Sequence, residues 1–319
     1  MNKIQIYVSH RIDLESALID NPLYVPVYCG AIYAAPGTRR LQRDDTGDNI
    51  SEKRMSFCEF TVQYWAWKNC DADYMGLCHY RRYLSFADHH FQKVNARNMI
   101  EVPFMSPWIE KKYGLCSPST MTEEIQKYDA IFAEPGAVSC IPTYTGEQAH
   151  NIRQLWQAHA GLFFDTHSLD LLLTLIDQIE PEYSDTARQY FSSTQHIGYN
   201  CYVMKKDLFH ALCEFQFPVL FELERILPAA TMKQYPRTIG YMGEILYGIF
   251  SYRLITEGRK KVAYKQMVFF EDTTPSGFFC SACRYALKAG KSCAKNLVDR
   301  ILPIGSKRRK FIKRILKKG

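Results

Sequence analysis

The sequence has no long apolar run. No stretch approaches the roughly 18 consecutive apolar residues that a transmembrane helix needs. The first residues, MNKIQIYVSHRID, contain no apolar core of about 7 to 15 residues and no small-residue cleavage site. The sequence therefore predicts an unexported protein without a membrane span. It also shows no internal repeat and no low-complexity linker, so the 319 residues fit one large α/β domain or two smaller ones.

The sequence also lacks a cysteine framework. Its 11 cysteines are odd in number and are not spaced in pairs, so reduced thiols are expected in an unexported protein. Cys280-x-x-Cys283 with Cys293 offers at most three of the four ligands of a structural zinc, and no histidine lies nearby. No structural zinc is expected.

The net charge of +7 is distributed unevenly along the chain. Residues 282–319 contain 13 Lys and Arg and a single acid, Asp299, which is a net charge of +12 and leaves −5 for residues 1–281. This change in composition divides the chain into a main domain, 1–281, and a basic tail, 282–319. Apolar residues recur at helical spacing in the tail on both sides of Pro303, which predicts two short basic amphipathic helices.

A basic amphipathic helix binds the surface of an anionic membrane. The tail therefore predicts a protein held on the inner face of the cell membrane. Two alternatives are a solvated tail and a nucleic-acid-binding patch at 307–318. The acidic balance of 1–281 disfavours a nucleic-acid groove in the main domain, and no nucleic-acid partner is expected.

The main domain alternates strand and helix patterns. Strands are predicted at 4–9, 74–80, 128–135, 199–204 and 262–270, and Pro26 restricts a further candidate at 24–28 to a sheet edge or an irregular stretch. Helices are predicted at 52–69, 121–127, twice within 147–180, at 206–227 and at 239–257. This order predicts an α/β fold, a mostly parallel sheet with helices on both faces.

Polar residues follow the buried run at 74–80. His79, Tyr80, Arg81 and Arg82 stand at its carboxyl end, where open α/β sheets bind ligands, and guanidinium groups pair with phosphate oxygens. Surface charge is the alternative interpretation. Upstream lies a polar loop that contains Asp44, Asp45, Asp48 and Asn49. The side-chain oxygens of these residues could accept hydrogen bonds from sugar hydroxyls, and a solvated turn is the alternative interpretation.

Three ordered motifs carry a resemblance to a known family. They are Asp45–Lys53 (DTGDNISEK), Tyr64–Asn69 (YWAWKN) and Asp73–Tyr83 (DYMGLCHYRRY), followed by shorter likenesses at 127–131, 200–206 and 240–246. Over about residues 3–272 the chain resembles the bacterial family of capsular and exopolysaccharide biosynthesis long catalogued as the domain of unknown function DUF4422, now regarded as glycosyltransferases. The resemblance implies a GT-A-like (Rossmann-like) fold with a nucleotide-sugar across the carboxyl ends of the strands. It implies nothing about the tail.

The implied function is transfer of a hexose in cell-surface polysaccharide synthesis. The donor is expected to be a UDP-hexose, with galactose the first sugar to try, and the acceptor a lipid-linked or growing glycan. A cytoplasmic enzyme, peripheral on the membrane through 282–319, fits such an acceptor. The alternatives are a non-catalytic carbohydrate- or nucleotide-binding protein and a nucleic-acid-binding protein with a basic tail.

Catalysis without a metal is expected. Many GT-A enzymes bind the donor diphosphate through a metal on an Asp-x-Asp that follows a strand, but Asp71-Ala72-Asp73 precedes the apolar strand and so belongs at the opposite sheet edge. His79 to Arg82 occupy the metal position and can neutralise a diphosphate directly. Mg²⁺ or Mn²⁺ held by Asp45 or Asp48 is the alternative.

The candidate site residues follow from these patterns. Glu244 is the first choice for the catalytic carboxylate and Asp48 the second, with a helix-start glutamate as the alternative interpretation of Glu244. The acceptor-binding candidates are His150, His196 and Asn200; His150 and Arg153 could meet a phosphate or lie on an exposed face. The donor-binding candidates are Ser9, His10, Asp45, Asp48, Asn49, Lys53, His79, Tyr80, Arg81 and Arg82. The high tyrosine count, 21, fits a site for polyhydroxylated ligands, although ring packing in the core explains it equally well.

Overall fold

The predicted strands join in one large sheet. The computed structural model describes residues 2–38 and 41–275, and the tail, the three last cysteines and the 281/282 boundary lie outside them. The strands in this part of the chain are β1 (Ile4–Arg11), β2 (Tyr24–Cys29), β3 (Gln42–Arg43), β4 (Tyr74–His79), β5 (Arg82–Leu84), β6 (Met99–Phe104), β7 (Ala130–Ala133), β8 (Gly136–Ala137), β9 (Gln195–His196), β10 (Tyr202–Lys205), β11 (Val262–Lys265) and β12 (Met267–Asp272).

The sheet order is β11-β7-β10-β4-β1-β2-β3, and β5, β12 and β6 extend it from β4. β1 runs parallel to β2 and β4, and β7 runs parallel to β11. β10 runs antiparallel to both of its neighbours, and β5 antiparallel to β4 and β12. The mostly parallel α/β sheet predicted from the sequence is confirmed, with these antiparallel insertions. β8 and β9 form a separate pair.

Helices cover the sheet. Those in the described residues are α1 (Arg54–Phe57), α2 (Phe60–Asn69), α3 (Pro107–Lys112), α4 (Pro118–Ile125), α5 (Ile152–Gln157), α6 (Ser168–Ile179), α7 (Ser184–Ser192), α8 (Lys206–Ile226), α9 (Ala229–Gln234) and α10 (Thr238–Glu257). In this part of the chain, no helix has both the length and the apolar character needed to cross a membrane. The eight cysteines in it are free thiols.

The central strands bury side chains on both faces. Tyr7, Leu77 and Phe132 pack with α2, α8 and α10 in one core cluster. Ile6 and Cys78, one position away along the same strands, pack in the other cluster with residues of α3 and α4. A strand buried on both sides gives a continuous apolar run, which is why β4 and β7 are visible in the sequence, whereas β1 is visible through its alternating β-branched residues.

Three elements differ from their predicted form. The helix predicted at 52–69 is interrupted at Cys58, whose φ of 54° leaves the helical region, so α1 and α2 are separate. The strand predicted at 262–270 divides at Gln266, a buried residue whose amide hydrogen bonds with the backbone of Phe91. β2 is internal, but its outer partner β3 pairs only with residues beyond Pro26, so at Pro26 itself the strand has one neighbour.

Candidate active site

A row of polar residues lies at the carboxyl ends of β1 and β4. Because these strands are parallel and Ser9 is in register with His79, Ser9, His10 and His79 meet at one sheet edge. His10 is buried and its Nδ1 lies 2.7 Å from the Ser16 hydroxyl. The Tyr80 ring packs 4.2 Å from the His79 ring and 6.0 Å from that of His10. The structure thus brings together four of the predicted donor residues.

Arg81 and Arg82 supply the positive charge of this row. The Arg82 guanidinium lies 5.2 Å from the Tyr199 ring centre and that of Arg81 lies 5.5 Å from the Phe269 ring, distances typical of cation–π contacts. The Nε of each is buried and has no hydrogen-bond partner in the described part of the chain. Burial holds the pKa of His79 well below its usual value, and the positive charges of Arg82 and Arg81 lower it further. His79 is therefore neutral at pH 7. Two arginines with unused donors are suited to a bound anion.

Glu244 faces this row from α10. Its Oε1 accepts a hydrogen bond of 2.9 Å from the backbone N–H of Tyr199. Burial raises the pKa of Glu244, and the nearby Arg82 opposes that rise. α10 begins at Thr238, so Glu244 lies beyond its first turn and the helix-start interpretation is wrong. A carboxylate with a raised pKa beside an arginine is typical of catalytic sites.

His196 converges on the same point as Glu244. A Cβ added to Gly198 would lie 2.8 Å from His196 Nε2 and 2.9 Å from Glu244 Oε1, so these atoms are close neighbours across a glycine. His196 is 4% exposed, and its Nδ1 has no hydrogen-bond partner among the described residues. Burial lowers the pKa of His196 to about 4, so the ring is neutral at pH 7.

A cavity of about 290 Å³, here called cavity 1, contains these groups. Arg82, His196, Tyr199 and Glu244 line it together with the rings of Trp156, Phe163 and Tyr241 and the charged side chains of Arg97 and Glu101. Tyr199 and the last five of these residues were not predicted from the sequence. Trp156 lies in a short helix whose apolar spacing indicates core packing, and the high aromatic content was the one signal that pointed to such a wall.

A second cavity, cavity 2, lies beside the carboxyl ends of β1 and β2. Its volume is about 330 Å³, and His10, Ser16, Tyr28 and Thr38 are among the residues that line it. No described residue lines both cavities. His79 pairs with Arg82 across β4 and β5 and is in register with Ser9, the neighbour of His10, so it lies between a residue that lines cavity 1 and one that lines cavity 2.

The side chains of the polar loop predicted to bind the donor have hydrogen-bond or ion-pair partners within the chain. Asp44 is fully buried and accepts hydrogen bonds from the backbone of Gly30 and Ala31 and from the hydroxyls of Ser51 and Thr61. Its carboxylate therefore fixes the loop and is closed to a sugar hydroxyl.

The other loop residues also have partners within the chain. The Asp48 carboxylate accepts a hydrogen bond from Tyr64 on α2, and Asp45 pairs with Arg43. Asn49 bonds to the backbone of Gly47 and Ser51, and Lys53 pairs with Glu224 at 2.7 Å. None of these loop residues lines cavity 1, so the structure does not bring Asp48 to Glu244.

The remaining acceptor candidates, Asn200 and His150, lie in different surroundings: one is buried and the other is exposed. Asn200 is buried beside cavity 1 and donates to Glu59 Oε1 at 3.1 Å. Its Oδ1 has no hydrogen-bond partner in the ranges described. His150 is exposed just before α5, and Arg153 pairs with Asp170, so the structure favours the exposed face for these two residues.

The Asp71-Ala72-Asp73 triplet lies at the amino end of β4, as predicted. The Asp73 carboxylate accepts a hydrogen bond from the Lys3 backbone at 2.6 Å, and Asp71 pairs with Lys206. In residues 2–38 and 41–275, no group of three or more His, Cys, Asp or Glu side chains is arranged to hold a metal ion. The alternative ligands Asp45 and Asp48 are engaged with Arg43 and Tyr64.

The comparisons with known proteins agree with this geometry. The sequence profile of DUF4422, described as a domain of unknown function, matches residues 5–254. The chain belongs to the DUF4422 family. This DUF4422 chain is similar to the apo structure of WbbM, a bifunctional glycosyltransferase, with a TM-score of 0.75 and 28% sequence identity over 85% of its length. It covers 46% of the WbbM chain, which is less than half of that protein. No curated protein matches this sequence.

Proposed function

We propose that this protein is a glycosyltransferase that moves a hexose from a nucleotide-sugar to a glycan acceptor. The observation that carries the proposal is the pair of arginines, Arg81 and Arg82, at the carboxyl edge of the sheet with the Glu244 carboxylate facing them. Similarity to a bifunctional glycosyltransferase supports the reaction class. The donor is a UDP-hexose, and galactose is the first sugar to test.

In this proposal cavity 2 and the arginine row divide the nucleoside diphosphate of the donor between them. Cavity 2, at the ends of β1 and β2, is placed for the nucleoside, and the row from His79 to Arg82 for the diphosphate. The bond between the anomeric carbon and the diphosphate oxygen breaks, and the nucleoside diphosphate leaves with the electron pair. Arg81 and Arg82 stabilise the charge that develops on it, because their guanidinium groups form bidentate bonds with phosphate.

Glu244 acts at the reacting carbon. The new bond forms between the anomeric carbon and an acceptor hydroxyl, whose proton must leave. If configuration inverts, Glu244 accepts that proton. If it is retained, the departing diphosphate oxygen accepts the proton while the Glu244 carboxylate stabilises the oxocarbenium-like centre. Both roles need the ionised form of Glu244. Catalysis proceeds without a metal, because guanidinium groups occupy the position where a metal would bind the diphosphate.

The acceptor is a lipid-linked or growing glycan of cell-surface polysaccharide synthesis. The enzyme is cytoplasmic, and residues 282–319 hold it on the inner face of the membrane through their net charge of +12. This location gives it access to a polyprenyl-linked acceptor.

The direct test is transfer of label from radiolabelled UDP-galactose, then from other common nucleotide-sugars, to a lipid-linked acceptor by the purified protein. Arg81→Ala and Arg82→Ala are expected to lower turnover at least about 100-fold. Arg225→Ala is the matched control, because Arg225 is exposed on α8 and pairs with Glu222. Absence of transfer with every donor, together with absence of nucleotide binding, would contradict the proposal. A different result would favour a non-catalytic carbohydrate-binding protein: the native protein shows no turnover, and both arginine variants still bind sugar.

A further inference from the structure

One wall of cavity 1 is aromatic. Phe163 and Tyr241 lie 5.1 Å apart with their rings inclined by 26°, and Trp156 lies 6.4 Å from Tyr241. Phe163 and Tyr241 are half-buried and both line the cavity, and Phe163 also stacks on His159 at 5.3 Å. The C–H face of a pyranose is a flat apolar surface of the kind that packs on such rings.

Cavity 1 also has a hydroxyl-binding pair in His196 and Glu244. His196 Nε2 and Glu244 Oε1 converge on the position of a missing Cβ at Gly198. A hydroxyl both donates and accepts a hydrogen bond, and a carboxylate beside a neutral imidazole provides for both. His196 is more than nine-tenths buried and lines the cavity, and its other ring nitrogen, Nδ1, has no hydrogen-bond partner among the described residues, so the imidazole keeps hydrogen-bonding capacity for a ligand.

The size and position of cavity 1 distinguish it from cavity 2, the proposed nucleoside site. Its volume of about 290 Å³ is at the lower end of the range for small-molecule sites, which suits one sugar ring better than a whole nucleotide-sugar. All of its lining residues follow β4 in the chain, whereas cavity 2 is lined by residues 10–41. Arg82 lies at the boundary between cavity 1 and the arginine row.

We infer that cavity 1 is the acceptor site and that it takes a terminal pyranose, with its apolar face on Phe163 and Tyr241 and a hydroxyl between His196 and Glu244. This inference rests on the proposed glycosyl transfer. It adds that the acceptor is recognised through its sugar ring, whereas the membrane tail determines where the enzyme meets that acceptor.

Saturation-transfer NMR on the full-length protein tests the inference. The probes are the methyl α- and β-pyranosides of galactose, glucose, mannose, N-acetylglucosamine and rhamnose, each added in the presence of UDP. At least one is expected to receive saturation at its ring C–H protons. Phe163→Leu and Tyr241→Leu are each expected to increase its Kd about threefold to tenfold. Trp108→Ala is the matched control, because Trp108 is 40% exposed on α3 and does not line cavity 1.

Two further measurements make the outcome decisive. An unreactive phosphonate analogue of UDP-galactose should leave the glycoside bound. If the analogue displaces the glycoside and UDP does not, cavity 1 is the donor-sugar site and the inference is overturned. His196→Gln, which keeps a polar side chain, should also weaken glycoside binding, with thermal melting reporting that each variant is folded. If UDP binds but no glycoside does, the inference fails and the proposed function stands. If neither UDP nor UDP-galactose binds, the proposed function itself fails.

Discussion

Glu244 has a carboxyl group whose surroundings alter its acidity. Burial raises its pKa above the usual value of 4.5, and the charge of Arg82 limits that rise. In the proposed reaction the ionised form is active. Activity should therefore fall as the pH drops through the raised pKa, at a pH above the one at which an ordinary glutamate would titrate. Measuring kcat for transfer between pH 4 and pH 9 locates this acidic limb.

Replacing Glu244 by glutamine tests the same residue directly. Glu244→Gln keeps the shape of the side chain and removes its charge, and kcat is expected to fall about 10²- to 10⁴-fold while UDP binding is measured in parallel. Glu222→Gln is the control, because Glu222 is on the surface of α8 in an ion pair with Arg225. An acidic limb that persists unchanged in Glu244→Gln would assign the titration to another group.

Among the structural elements, the segment before β10 has an unusual backbone conformation. Tyr199 and Asn200 both have positive φ, 70° and 46°, a conformation that costs non-glycine residues energy. This backbone directs the Tyr199 N–H at Glu244. Gly198 fits there because it lacks the Cβ that would meet both His196 and Glu244. The segment holds these two side chains at one point.

Gly198→Ala should therefore disturb the site more than the fold. The added methyl group would lie 2.2 Å from His196 Cε1 and within 3 Å of Glu244 Oε1, so the His196 ring must move, and we expect a loss of kcat of about tenfold or more with a change in Tm of only a few degrees. Gly146→Ala is the control: nothing lies within 4 Å of its Cβ position, so it adds only the backbone cost of its positive φ. Full activity in Gly198→Ala would show that the two side chains can separate without consequence.

Asp44 connects the loop after β3 to the start of α2. Because it is fully buried and accepts four hydrogen bonds, Asp44→Ala should lower the free energy of unfolding by roughly 2 to 4 kcal/mol, as measured by urea denaturation. Asp48→Ala removes one hydrogen bond from an exposed carboxylate and should change it by about 0.5 kcal/mol or less. Equal effects of the two substitutions would refute this assignment of roles.

At the scale of the whole molecule, charge divides the chain into two parts. The net charge is −5 for residues 1–281 and +12 for residues 282–319. Full-length protein is expected to sediment with phosphatidylglycerol vesicles, and less so as salt is raised, because each Lys or Arg near an anionic surface contributes about 1 kcal/mol. A chain ending at residue 281 should lose this binding and still turn over a water-soluble acceptor.

Two outcomes would contradict the membrane role of the tail. One is undiminished vesicle binding by the shortened chain. The other is binding to duplex DNA that outcompetes the vesicles and disappears with the tail, which would favour the nucleic-acid alternative.

Local sequence determined the central strands of the sheet and its polar carboxyl edge. β4 up to Cys78 and all of β7 are continuous apolar runs because both of their faces are covered, and β1 shows a β-branched, mostly apolar stretch at 4–8, so these strands are visible without a structure. The same reasoning put His79 to Arg82 at the carboxyl edge and Asp71-Ala72-Asp73 at the other, since a strand has only two ends.

The tertiary structure decided which residues line cavity 1 and which carboxylates of the polar loop are buried. Trp156, His196 and Tyr241 stand in separate segments, and no local periodicity relates them; they meet because α5, the segment before β10 and α10 pack around the end of β5. Asp44 and Asp48 look alike in the sequence, yet one is buried under four donors and the other is exposed. Residue type determined which chemistry is available, and long-range packing decided which groups share a site, because burial and proximity depend on segments far apart in the chain.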